Sequence, residues 1–162
     1  MDQLSISNLP NSDSKIIASS GVFQIELIKH TGKDDFPQLI EISKSLAKDY
    51  SDKAILTDAT IHKYFNKSGS LPFIARYRDE IIGYIIGVPL ETLSNEPWAR
   101  LDENFGKGNT LYTYAFVIQS EYKGNGYAKM LKRVFLNWAK KKDVINVITG
   151  HVSNGVCARF TG

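Results

Sequence analysis

The chain has 162 residues, enough for one domain with a sizeable core and too few for two comfortable ones. Hydrophobic residues at 43% and charged residues at 23% are the balance of an ordinary globular protein, and no stretch is apolar enough to span a bilayer, so no membrane partner is expected. A formal net charge of +3 gives no ground of its own for binding nucleic acid.

One cysteine, Cys157, can form no disulfide within the chain and has no metal-ligating neighbour at useful spacing. The expectation is a reducing, cytoplasmic setting and no metal. Residues 1–20 are polar and serine-rich and lack the basic start and apolar run of a signal peptide. They read as a flexible tail, with a partial fold-back around Lys15 to Ala18, ahead of one domain over residues 21–162.

Phe23, Ile25 and Leu27 alternate with polar neighbours, the two-residue period of a half-buried strand. Asp34 or Asp35 then caps a helix that tolerates Pro37 in its first turn and carries Leu39, Ile42 and Leu46 on one face. A shorter helix is expected from Thr57 to about Asn66, with Ile61, Tyr64 and Phe65 as its apolar residues. Leu71–Arg76 and Ile81–Val88 read as two strands of a hairpin turning at Arg78-Asp79-Glu80. A long irregular connection runs from Pro89 to Asn109, and loops of that length are often functional.

Thr110–Gln119 is the next strand, rich in aromatic and β-branched residues. A helix from about Gly126 to Lys141 follows, with Tyr127, Leu131, Val134, Phe135 and Trp138 on one face. Val144–Val152 reads as a further strand, and Ser153-Asn154 as the start of a helix. The whole is an α/β domain built on a mixed sheet.

Between strand and helix lies Tyr122-Lys-Gly-Asn-Gly-Tyr-Ala-Lys-Met-Leu131. A glycine turn at a helix start directs bare backbone N–H groups outward, and the helix dipole adds partial positive charge there. Such a turn suits phosphate, because a side chain at either glycine would hold the anion away from the amides. Lys123, Lys129, Lys132, Arg133, Lys140, Lys141 and Lys142 crowd around it, either as a solvated helix face or as a field for a polyanion. A Walker-type loop would need Gly-Lys-Ser/Thr after four spaced residues, and the chain has none. A dinucleotide fingerprint would need its first glycine where Lys123 stands.

Lys123-Gly124-Asn125-Gly126-Tyr127-Ala128, preceded by Phe116 to Tyr122, resembles the acyl-CoA signature of the GNAT superfamily of N-acyltransferases. That signature is Gln/Arg-x-x-Gly-x-Gly/Ala, and its two small residues fall on Gly126 and Ala128. Lysine replaces the usual Gln or Arg at position 123, keeping the charge and losing a planar donor. The resemblance covers roughly Phe23 to Asn154, and only Phe116 to Leu131 is specific. It implies a mostly antiparallel central sheet flanked by helices, with the family's C-terminal strands absent. It also implies acetyl-CoA as acyl donor and a small-molecule or peptide amine as acceptor.

Roles follow position by position from the resemblance. Backbone groups of Phe116 and Ile118 would pair with the pantetheine arm, and amides from Lys123 through Gly124, Asn125, Gly126 and Tyr127 to Ala128 would hold the pyrophosphate. Lys129 could add a phosphate contact, and Asn154 either touches the pantetheine or caps a helix. The position that carries a glutamate in some members falls on Tyr112, with Tyr114 on the same face, and neither is a good base near neutral pH. Glu91 and His151 are the substitutes. Either can instead be structural, Glu91 as a loop charge and His151 as a packed ring. The family's general-acid pattern, Asn-x-x-Ala-x-x-Phe-Tyr, meets Asn154, Cys157 and Phe160 and then Thr161, so a tyrosine of the aromatic strand becomes the candidate proton donor.

The connection from Pro89 to Asn109 carries Glu91, Glu96, Trp98, Asp102 and Glu103, a content that suits a cationic acceptor or simply a solvated loop. Two functions stay open: direct acetyl transfer to an amine, and a CoA-binding module without turnover that serves as sensor or scaffold. Nucleic-acid binding is not expected, because aromatic residues do not interleave the lysines of the helix. A sheet ending at Val144–Val152 would leave an open edge, to be covered by a longer product or a homodimer.

Overall fold

The computed structural model describes residues 11–48, 52–151 and 157–161. Their frame is one seven-stranded sheet whose strands lie side by side in chain order. The strands are β1 (Asp13–Ser20), β2 (Phe23–His30), β3 (Leu71–Tyr77), β4 (Glu80–Pro89), β5 (Thr110–Ile118), β6 (Val147–His151) and β7 (Cys157–Thr161). Neighbours pair antiparallel except β5 and β6, which are parallel. A parallel pair needs a crossover, supplied here by the helix between those strands. The helices are α1 (Phe36–Ser43), α2 (Asp58–Tyr64), α3 (Pro97–Arg100) and α4 (Tyr127–Lys140). None among the described residues is long and apolar enough to cross a membrane.

The sheet separates two hydrophobic clusters. On one face Phe36, Leu39 and Ile42 of α1 and Ile61 and Tyr64 of α2 pack with Ile74, Tyr84 and Tyr112. On the other, Leu131, Phe135 and Ala139 of α4 pack with Phe23, Phe73 and Leu111, while Tyr127, Val134 and Trp138 pack there half-buried. The hairpin turn falls where the sequence puts it, with Arg78 at φ 50° and Asp79 at φ 71°. Two consecutive left-handed residues are the signature of the tight turn whose twist matches its strands. Thr57 and Thr60 cap α2 reciprocally.

Three expectations are corrected. Residues 13–20 are not tail but strand, paired along β2 with a bulge between Ile16 and Ala18. Their sequence lacks alternation because the strand is an exposed edge, and polar contacts fix it instead. Arg76 reaches Glu26 at 2.6 Å and Asp35 at 2.9 Å. Ser14 donates to Glu26 and Ser12 to Asp35, each at 2.6 Å. Burial pulls the Arg76 pKa down, but the two carboxylates outweigh it and the net shift is upward. Asp35 accordingly stands at the N-cap of α1 without capping it, its carboxylate being engaged elsewhere.

The second correction is at the other end. Residues 157–161 form a strand antiparallel to β6, not a helix, so a C-terminal strand is present and β6 is not a sheet edge. Backbone groups left open by β6 recruit the chain's own following segment, which removes the ground for expecting a second copy there. The helical pattern read from Asn154 through Thr161 fails with it, since Cys157, Phe160 and Thr161 lie on β7 and Asn154 lies outside the described residues. Third, the connection after β4 is partly ordered. It holds a short 3-10 turn at Leu90–Leu93 and then α3.

Candidate active site

The site begins where two strands part company. β5 and β6 pair from Thr110 with Val147 to Thr113 with Gly150, and β5 then continues to Ile118 with only β4 beside it among the described residues. A bulge lies between the pairs Ile86–Ala115 and Gly87–Thr113, so Tyr114 is an extra residue on β5. Bulges bend a strand and sharpen its twist, which here turns β5 away from its parallel neighbour. The side-chain phase slips by one as well. Tyr112 and Tyr114 face the α1–α2 cluster, and beyond the bulge so do Ala115 and Val117.

The free edge of β5 has a defined set of backbone groups. Gln119 donates its N–H to Ile82 of β4 at 2.8 Å. Backbone direction alternates along a strand, so Ile118 and Phe116 turn their groups to the opposite side, where none of the described residues pairs with them. These are the two positions expected to face a pantetheine arm.

From that edge the chain enters a 3-10 turn at Ser120–Tyr122 and then the glycine turn. Gly124 has φ +86° and Gly126 φ +79°, and an added Cβ at either meets nothing within 4 Å. The glycines are therefore required first by backbone conformation, which disfavours L side chains, and the space around them is open. No side chain caps α4. Met130 N–H is the first to bond back, to Gly126, so those of Tyr127, Ala128 and Lys129 have no intrahelical acceptor. Lys123, Lys129, Lys132 and Arg133 are exposed around them.

Rings hold this turn to the sheet. Tyr127 stacks on Phe23 with centroids 4.1 Å apart, and Tyr77 packs beside both Tyr127 and Tyr122. Asn125 donates to the Tyr122 carbonyl at 3.1 Å. The side chains of Tyr127 and Asn125 are thus structural, and what these positions offer outward is backbone.

On the other face, at the fork, four tyrosines and a tryptophan gather. Tyr114 stacks on Tyr64 of α2 at 3.9 Å, and Tyr112 packs against Trp98 of α3 at 4.9 Å. Trp98 is 38% exposed. Burial pushes the Tyr114 hydroxyl pKa well up, and Tyr64, by charge and hydrogen bond, then Tyr112 and Glu96 push the same way. Tyr84, behind them, is pushed up by burial and then by Tyr114, and its buried hydroxyl has no hydrogen-bond partner. Such hydroxyls keep their protons at neutral pH, so they can donate and cannot act as bases.

The two substitute bases are placed differently. Glu91 accepts from the Gly106 N–H at 2.8 Å, a bond that ties the two halves of the 89–109 connection. His151 stands one residue beyond the last β5–β6 pair, at the fork itself. Tyr64 and Tyr84 are what the sequence reading missed. Tyr64 reads only as an apolar residue of its helix and Tyr84 only as one position of a strand, and the shared cluster at the β5 bulge gives them away. Among the described residues no cluster of His, Cys, Asp or Glu is arranged to hold a metal.

A forked parallel pair followed by an uncapped glycine turn invites comparison with known proteins. The profile of the acetyltransferase (GNAT) family matches residues 36–160. The chain belongs to the GNAT acetyltransferase family. No curated protein sequence matches it. Among solved structures, its GNAT fold is similar to an aminoglycoside acetyltransferase from an uncultured soil metagenomic sample, solved with trehalose. There the TM-score is 0.60 and the identity 16%, over 82% of this chain and 79% of that one. The loading GNATL domain of CurA from Lyngbya majuscula gives TM-score 0.59 and 18% identity, over 80% of this chain and 64% of that one. AAC(6')-Iy, solved with the bisubstrate analogue CoA-S-monomethyl-acetylneamine, gives 0.57 and 15%, over 80% and 79%. At these identities the likeness is one of fold.

Proposed function

We propose that this GNAT protein is an N-acetyltransferase that moves an acetyl group from acetyl-CoA to a cationic amine by direct transfer in a ternary complex. The observation that carries the reading is the continuity of unpaired backbone, from the β5 edge at Phe116 and Ile118 to the uncapped amides of Tyr127 to Lys129. An extended amide-bearing arm can pair with the first, and a diphosphate can sit on the second. Gly124 and Gly126 leave room for that diphosphate, Asn125 and Lys123 shape the turn, and Ala128 keeps the first helical turn unobstructed. Lys123 and Lys129 supply cationic charge. Asn154 remains a candidate pantetheine contact.

The thioester would then lie at the fork. The amine nitrogen attacks the thioester carbonyl carbon, the C–S bond breaks, and the thiolate takes a proton. Tyr112 or Tyr114 is the donor in this reading, since each stands at the fork and carries a hydroxyl proton, although burial makes Tyr114 more reluctant to part with its own. The amine must arrive neutral, and His151 or Glu91, directly or through water, takes its proton. Trp98, partly exposed beside the buried Tyr112, offers a cation a ring face and Glu96 a charge, which makes a cationic amine the acceptor class. The setting is taken to be the cytoplasm.

The test is CoA release from acetyl-CoA across a panel of aliphatic amines, polyamines, aminoglycosides and peptide N-termini. Release dependent on one class, with mass transfer to the acceptor, is the expected result. Tight acetyl-CoA binding with no release across the panel would overturn catalysis and leave a CoA-binding module.

A further inference from the structure

A second fork opens in the same sheet, far from the glycine turn. Pairing of β2 with β3 ends at Leu27 and Phe73, although β2 runs on to His30 and β3 begins at Leu71. The next rung would set Ile28 opposite Pro72, which has no amide hydrogen to donate, and the ladder stops. A cleft of about 560 Å³ lies there, bounded by both strand ends, by the loop after α2 and by the last turn of α4. That is the volume of a small-molecule site.

The lining of the cleft is unusual in two respects. His30 is only 4% exposed, yet neither ring nitrogen has a hydrogen-bond partner. Ser70, which continued register would set opposite His30, has a buried hydroxyl that is likewise unpartnered. Buried polar groups are satisfied in the great majority of cases, so two orphaned ones behind a single cleft mark its wall as unusual, although neither is reached from the cleft as it stands. Lys29, Lys67, Lys141 and Lys142 also line it, and among the described residues no acidic one does. Leu27, Leu71 and Trp138 supply apolar wall, with Lys141 lying over the Trp138 ring at 5.1 Å.

We propose that the gap between β2 and β3 is a binding site for a small organic anion with an apolar body, its phosphate or carboxylate held by the lysines in front of the buried His30. Lysine is a point-charge binder of such groups, and the His30 ring, close behind the wall, senses an occupant without touching it. The apolar body lies against Trp138 and the two leucines. Because the cleft meets the C-terminal end of α4 and the glycine turn its N-terminal end, the two sites are separate, and this one stands whether or not the acyl-CoA reading does.

The experiment follows the His30 ring by NMR, assigned through His30→Gln, during titration with phenyl phosphate. Inorganic phosphate and benzyl alcohol are the charge-only and body-only arms. A saturable His30 shift with phenyl phosphate is expected, with at least tenfold weaker binding of either arm alone. The double variant Lys67→Glu, Lys141→Glu should weaken phenyl phosphate at least tenfold, and Gly124→Asp should leave it unchanged. Lys67→Ala alone serves if the double variant misfolds, with a smaller loss. No saturable shift, a shift indifferent to the lysine variants, or equal binding of inorganic phosphate would overturn the proposal. So would loss of the shift in Gly124→Asp, since the probe would then be reporting the glycine turn.

Discussion

The two halves of the candidate active site are made of different material. The donor half, from the β5 edge through the glycine turn, presents backbone, and its side chains point inward to hold the turn on Phe23 and Tyr77. The acceptor half, on the opposite face, presents side chains drawn from α2, α3, β4 and β5. A backbone site needs only a few residues in set conformations and tolerates wide change elsewhere. A side-chain site depends on rings meeting across the chain, as Tyr64 meets Tyr114. The first kind should respond to added charge or blocked amides, and the second to loss of single functional groups.

The largest effect expected on the acceptor half is on turnover. Tyr114→Phe keeps the stack on Tyr64 and removes the proton. Loss of a general acid lowers rate by about 10²–10⁴-fold. Single-turnover transfer should fall accordingly while acetyl-CoA affinity, measured by calorimetry, stays within about twofold because that half is backbone. Tyr112→Phe is the parallel test. If neither variant slows transfer, the tyrosines are packing groups and the contrast between halves fails.

Next in size is the donor half. Gly124→Asp or Gly126→Glu sets a carboxylate beside the expected diphosphate, a repulsion of about 4 kcal/mol at close range under partial screening. Binding should weaken at least 100-fold by calorimetry, with the thermal midpoint lowered by about 2–4 °C, as in Gly124→Ala. Gly124→Ala is the control, since it carries the left-handed strain of about 1 kcal/mol without charge. Unchanged affinity in both charged variants would remove the acyl-CoA assignment from this turn.

A smaller effect separates acceptor recognition from chemistry. Trp98→Ala removes the exposed ring that a cation would meet, worth about 0.5–1 kcal/mol at such a site. The KM for the amine should rise a few-fold with little change in kcat. An equal fall in kcat would instead mean that Trp98 acts by holding Tyr112 in place.

The same contrast governs what could be read in advance. Alternation at Phe23, Ile25 and Leu27, the hairpin at Arg78-Asp79, and the glycine pair are local signals, and each corresponds to what the chain forms. The strand Asp13–Ser20 carries no such signal, because its place depends on Arg76, Glu26 and Asp35, which come from three other segments. The strand Cys157–Thr161 was hidden by a short match to a helical family pattern. Tyr64 reads as an apolar residue of its helix, correctly as far as burial goes, and its grouping with Tyr84, Tyr112 and Tyr114 follows only from the bulge that re-aims β5. Local conformation is written in neighbouring residues, whereas a cluster of side chains is written in the topology.

The tyrosine cluster should also leave a mark on stability that the glycine turn does not. Tyr84 and Tyr114 ordinarily ionise near 10.0, and in the fold both are pushed upward, chiefly by burial. A group whose folded pKa is raised contributes stability that is complete below its unfolded pKa and is lost as pH rises above it. Denaturation by urea should therefore be insensitive to pH up to about 10 as far as these groups go, then weaken. For Tyr84, which is fully buried, the loss is roughly 1 kcal/mol half a unit above its unfolded pKa. Tyr84→Phe should flatten that alkaline limb, and it also removes a buried hydroxyl that has no partner, so its stability at neutral pH should hold or rise. Gly124→Asp should leave the limb as it is. An alkaline limb unchanged by Tyr84→Phe would mean that the hydroxyl reaches water, and that the aromatic floor of the acceptor half is more open than its packing implies.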